Sequence, residues 1–129
     1  MDGFISWDIK SPGISFCLNF GRITIFRTTL AALEYPEYYR FLFNPEKRLF
    51  AMQICRMDAE GAHRLPEVSE EESCDIKSKD LVRFVYQTCG WKKNLTYRVP
   101  GIFVPGERLV HFGLEDALEL HQGRLIEPV

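Results

Sequence analysis

Five basic side chains stand where two segments of the chain each enter a helix: Arg22 and Arg27 in the first, Lys77, Lys79 and Arg83 in the second. A guanidinium carried on a β-hairpin can neutralise a phosphate and read a guanine edge through paired hydrogen bonds, and lysine adds a compact positive charge. The chemistry on offer is recognition of duplex DNA. Solubility and ordinary surface pairing are the competing account of the same five residues, because the whole chain carries a formal net charge of -2.

Other chemistries lack their residues. His63, His111 and His121 form no metal-spaced pair, and Cys17, Cys55, Cys74 and Cys89 lie too far apart to suggest a zinc site. They read as reduced structural thiols. The serines include no nucleophile elbow, and no glycine-rich phosphate loop is present. Glu34 and Glu37, near Tyr35 and Tyr38, are a conceivable carboxylate pair, but they fall at a helix end where exposed acids are common. The expectation is a chain with no catalytic residues, no metal site and no cofactor. The acidic run Glu70-Glu71-Glu72 reads as a solvated loop, or as a mimic of nucleic acid that docks a basic partner.

A length of 129 residues with 46% hydrophobic and 13% aromatic content suits one packed domain. No apolar run approaches the ~20 residues of a membrane span, and no secretory leader pattern opens the chain. A cytoplasmic protein without a membrane partner is expected.

The elements that must position the basic residues are legible in outline. Strands at 14–18 and 22–26 flank the turn Asn19-Phe20-Gly21, and Thr28 or Thr29 is placed to cap a short helix reaching Tyr35. A second hairpin spans 38–54 around Asn44-Pro45-Glu46-Lys47. The stretch 57–73 turns polar and reads as a loop. Ser78 then caps a helix with Leu81, Phe84, Val85 and Thr88 on one face, stopped by Gly90 with Trp91 folding back on Tyr86. A third hairpin follows, bulged at Pro100-Gly101 and turned by a type II Pro105-Gly106. A final helical turn or two over 114–120 closes at Gly123.

The helix-then-hairpin order occurs twice. Ile25 to Leu30 matches Ile76 to Leu81 at a shift of 51, Tyr39-Arg40 matches Tyr97-Arg98 at 58, and Arg48-Leu49 matches Arg108-Leu109 at 60. Half-repeats over 14–56 and 74–114, joined by the acidic stretch 57–73, are one reading. Coincidence between two similar units is the other. Duplication alone requires a pseudo-twofold around a shared core.

The run Leu18-Asn19-Phe20-Gly21-Arg22-Ile23-Thr24-Ile25, a Gly-Arg hairpin opening a strand that enters a short helix, resembles the AbrB/SpoVT (MazE-like) family of bacterial transition-state regulators and antitoxins. The likeness covers residues 14–54, with Leu33 at the family's helix leucine. Phe26 stands in place of its usual proline, and Leu30 in place of its helix arginine. The resemblance implies a swapped-hairpin β-barrel, normally completed by a second subunit, that grips DNA with basic residues around its hairpins. It points to Arg22 as a DNA contact, with Arg27 nearby. Lys77, Lys79 and Arg83 would be the equivalents in the second half, and a duplicated chain would close the barrel alone.

The expected fold is therefore α+β, a barrel-like antiparallel sheet of hairpins with two short-to-medium helices. Two functions follow, a DNA-binding regulatory module or a protein-interaction module without nucleic acid, the latter a homodimer through an open strand edge. The aromatic residues Tyr35, Tyr38, Tyr39, Phe41, Phe43, Trp91, Tyr97 and Phe103 favour the second, since tyrosine and tryptophan are enriched at interfaces.

Overall fold

Ten antiparallel strands and two helices are present in the computed structural model, which describes residues 11–121 and 124–125. The strands are β1 (Gly13–Cys17), β2 (Arg22–Ile25), β3 (Tyr38–Asn44), β4 (Leu49–Ile54), β5 (His63–Arg64), β6 (Cys74–Lys77), β7 (Thr96–Val104), β8 (Leu109–Gly113), β9 (Leu118–His121) and β10 (Arg124–Leu125). Helix α1 (Arg27–Ala32) follows β2 and α2 (Lys79–Cys89) follows β6. Eight strands lie edge to edge in the order β5-β3-β4-β8-β7-β1-β2-β6, and β9 with β10 extends from the first part of β7. The sheet curls around one core that includes Phe16, Phe50, Phe112, Tyr39, Ile23 and Leu30. This is the α+β, barrel-like sheet of hairpins that the sequence predicts.

Strand β7 makes the bend. Its first part pairs with β1 up to Pro100, and from Gly101 to Val104 it pairs with β8 instead. A side chain at Gly101 would place its Cβ 2.6 Å from both Phe112 and Val110, so only glycine lets the β7 backbone press onto the core face of β8.

The curl stays open along one seam, because β5 and β6, the two ends of the strand path, do not pair. The segment between them contains Pro66, which has no N–H, and Glu67, Glu70, Glu71 and Glu72, whose like charges disfavour a ladder. Leu65 and Val68 still pack on the core. The two-residue strand β5 lies inside a stretch that composition marks as loop. It forms because the edge of β3 is free there, with Tyr39 opposite His63.

The two helix-then-hairpin halves meet strand against counterpart strand. Thr24 lies opposite Asp75 and Ala51 opposite His111, the residues that match at shifts of 51 and 60 (75 − 24 and 111 − 51). Two hydrogen bonds repeat the relation. The Ile54 N–H donates to the Arg108 carbonyl at 3.0 Å, and the Leu114 N–H donates to the Arg48 carbonyl at 2.9 Å. Both hairpin turns begin with proline, Pro45 and Pro105, and end with a left-handed arginine, Arg48 at φ 49° and Arg108 at φ 54°. The second turn is thus a 3-10 turn over Pro105–Glu107 and not type II, since Arg108 and not Gly106 supplies the positive φ that re-enters the strand. With Asn44 opposite Leu49 and Val104 opposite Leu109, the position of Tyr39 is taken in the second hairpin by Val99, two residues beyond Tyr97.

Helix α2 ends as its sequence predicts. Gly90 is left-handed at φ 63°, the Trp91 N–H bonds the Tyr86 carbonyl at 3.0 Å, and the two rings meet edge to face at 5.2 Å. Its buried face is Val82, Val85 and Tyr86, rotated from the predicted one, and Phe84 is half exposed. The rotation follows the Tyr86 hydroxyl, whose one proton is shared between the carbonyls of Leu95 at 2.6 Å and Phe16 at 2.9 Å. Ser78 occupies the N-cap without a side-chain cap bond. Past β8 a single 3-10 turn, Leu114–Asp116, replaces the expected terminal helix, because 118–121 finds the free edge of β7 beside Thr96 to Arg98. The predicted stop at Gly123 lies outside the described residues.

Neither threonine caps α1. Its N-cap is Phe26, and Thr29 is fully buried within the helix, its hydroxyl donating to the Gly13 carbonyl at 2.7 Å while its oxygen accepts the Gly13 N–H at 2.8 Å. One side chain thus pins α1 to β1. Thr29→Val keeps the shape and strands the buried Gly13 N–H, so denaturant unfolding should show a loss of about 1–3 kcal/mol; a variant as stable as wild type would refute this role.

Candidate nucleic-acid interface

Alternation along the strands decides which side chains face out. Ile14, Phe16, Ile23, Ile25, Tyr97 and Val99 are in the core, so Ser15, Cys17, Arg22, Thr24, Thr96 and Arg98 form the outer face of β7, β1 and β2. Cross-strand register arranges them in rows, Thr96-Cys17-Arg22-Lys77 and Arg98-Ser15-Thr24-Asp75, with β6 as the last strand. Arg22 and Lys77 are therefore direct neighbours. In the second row the Thr24 hydroxyl donates to the Asp75 carboxylate at 2.7 Å.

The β1–β2 turn is locked to the start of α2. Gly21 is left-handed at φ 56°, its N–H bonds the Leu18 carbonyl at 3.0 Å, and its carbonyl accepts the Ser78 N–H at 2.8 Å. The Lys79 backbone lies against Gly21 closely enough that a Cβ there would meet the Lys79 Cα at 3.0 Å. The guanidinium of Arg22 packs over the exposed Phe20 ring at 5.0 Å, and its buried Nε has no hydrogen-bond partner. Arg22, Lys77 and Lys79 thus converge on one turn although the arginine and the lysines lie 55 (77 − 22) and 57 (79 − 22) positions apart in the sequence. Arg83, one helical turn beyond Lys79, has its guanidinium 3.9 Å from the Asp80 carboxylate.

Arg27 stands apart. It follows β2 at the end opposite Arg22 and lines a groove with Arg98, Glu71 and Ser73. Arg98 is a further basic residue of the outer face, one that no sequence motif marks, stacked on Phe26 at 4.8 Å. Its place between inward Tyr97 and Val99 is the period-two signal that marks it. The carbonyl of Glu70 is held by the Tyr35 hydroxyl at 3.0 Å, which fixes the acidic run near the end of α1.

The remaining chemistry-bearing groups are dispersed. Glu34, Glu37, Tyr35 and Tyr38 line an open groove of about 640 Å³ with Cys55, Arg56 and Arg108. Burial pushes the thiols of Cys74 and Cys89 up, which makes them poor nucleophiles, although Arg48 partly opposes the effect at Cys89. His111 projects from the outer face of β8. Among the described residues no group of three or more His, Cys, Asp or Glu is placed to hold a metal, and no helix is long and apolar enough to cross a membrane. Most of the aromatic supply is core: Tyr39 and Tyr97 are buried, Tyr35, Phe41, Phe43 and Trp91 pack against the core, and Phe103 is 40% exposed.

No protein-family model, no curated protein and no solved structure matches the chain.

Proposed function

We propose that the chain binds duplex DNA through the β1–β2 turn and the first turn of α2, with Arg22, Lys77 and Lys79 contacting phosphates and Arg83 flanking them. The observation that carries this reading is the convergence of three cations on Gly21, with the Arg22 Nε buried and unpartnered. The internal order supports the same reading, since a duplicated chain would hold both halves of an AbrB-like pseudo-dimer. The acidic run lies by the end of α1, where Glu71 shares a groove with Arg27 and Arg98. Arg27 belongs to that other end and plays no part in the contact.

Fluorescence anisotropy with a short duplex tests the proposal. Binding should weaken steeply between about 50 and 200 mM salt as released counterions return to the DNA. The triple variant Arg22→Ala, Lys77→Ala, Lys79→Ala should lower the slope of log K against log salt by about 3, one for each lost phosphate contact, while Arg27→Ala leaves it unchanged. Absence of wild-type binding at the low-salt end, or a triple variant that binds like wild type, would sink the idea.

A further inference from the structure

The turn between β1 and β2 carries a large side chain that the core does not use. Phe20 stands between Asn19 and Gly21, where turns favour small or polar residues, and its ring is 61% exposed, against 48% for Phe84 and 40% for Phe103. A lone exposed ring is ordinary on a protein surface. The setting of this one is not, because the cations of the basic turn surround it. The Arg22 guanidinium lies over one face of the ring at 5.0 Å, Lys77 is the cross-strand neighbour of Arg22, and the Lys79 backbone lies against Gly21. Asp75 and Asp80, the acids on the same elements, are engaged elsewhere: Asp75 accepts the Thr24 hydroxyl at 2.7 Å, and Asp80 lies 3.9 Å from the Arg83 guanidinium.

We infer that Phe20 stacks on an unpaired base, so that the turn takes DNA with locally open base pairs in preference to a continuous duplex. An aromatic ring stacks on the face of any base, while guanidinium and ammonium groups neutralise the phosphates beside it, and the turn presents both kinds of group together. The faces of the ring decide which form of DNA fits. A ring wedged between two stacked base pairs must offer both faces to them. Arg22 covers one face of Phe20, which leaves the other for a single base. Bases inside a continuous duplex are already stacked on both sides, so the base that Phe20 meets comes from an unpaired position. This inference rests on the DNA reading of the turn and adds the form of DNA that the turn selects.

Fluorescence anisotropy on the full chain compares a fully paired duplex with the same duplex carrying a short central bubble of mismatched bases. Wild type should bind the bubble about tenfold more tightly, the effect of one base stacked on an aromatic side chain. Phe20→Ala, and separately Phe20→Leu, which keeps apolar bulk without a π face, should abolish the preference. Neither should change the slope of log K against log salt, since neither removes a phosphate contact. Phe20→Trp should retain the preference. Because the ring is exposed, these changes leave the core intact; were Phe20→Ala to melt early, Phe20→Leu reads the same contact. Equal wild-type binding to the two probes, or a preference that survives both Phe20→Ala and Phe20→Leu, would overturn this inference and leave the DNA reading standing. A wild type that binds neither probe would overturn both.

Discussion

Phe50→Ala should cost the fold about 3–5 kcal/mol, the range for removing a large buried ring from a core that relaxes only in part. Phe50 is fully buried on β4 and sits among four other rings: Phe16 edge-on at 5.2 Å, Phe41 at 5.2 Å, Phe43 at 6.1 Å and Phe112 at 6.3 Å. These rings come from β1, β3 and β8, so the one side chain ties three other strands of the curled sheet together. Loss of that contact leaves a cavity that strands held in a shared hydrogen-bonded ladder cannot close by moving singly. Urea unfolding followed by tryptophan fluorescence measures the change. A loss below about 1 kcal/mol would mean that the aromatic cluster does not carry the core.

Gly21→Ala should remove about 2–5 kcal/mol by two separate routes. A left-handed φ costs an L-residue about 1–2 kcal/mol, and the new Cβ would stand 2.5 Å from the Lys79 Cγ and 3.0 Å from its Cα. The lysine side chain can swing away. The helix backbone cannot, because the Ser78 N–H is bonded to the Gly21 carbonyl, so α2 must shift from the turn at a packing cost of about 1–3 kcal/mol. Arg22→Ala, by contrast, removes a half-exposed side chain and should leave the melting temperature nearly unchanged. A Gly21→Ala protein as stable as wild type would show that the turn and the helix are not locked together. This comparison reads the scaffold alone and holds whatever ligand the turn meets.

Several elements were legible because the information for them lies within a few residues. Asn19-Phe20-Gly21 and Asn44-Pro45 named their turns, and Gly90 with Trp91 named the stop of α2. Errors arose where a distant partner overrode local preference. Thr29 has the chemistry of a cap, but the Gly13 backbone across the core claims its hydroxyl. Residues 118–121 look helical in isolation and are drawn into a strand by the free edge of β7. The face of α2 turned because Tyr86 has two carbonyls within reach.

The candidate interface divides in the same way. Arg22, Lys77, Lys79 and Arg83 are recognisable as basic residues beside helix starts, and their alternation with apolar neighbours places them on outward faces. That Arg22 and Lys77 are neighbours, that Arg27 is not with them, and that Arg98 shares their sheet face depend on which strand lies beside which. By itself the sequence determined the class of fold, the hairpins and the repeated order of elements, since turn residues and hydrophobic period act locally. Only the tertiary structure decided the open seam and the register of β2 on β6 and of β4 on β8. Those strand pairings join residues 49 (74 − 25) to 64 (113 − 49) positions apart, and a strand edge offers the same backbone donors and acceptors to any partner. The choice among partners is made by burial of the whole core at once, which no short stretch of residues encodes.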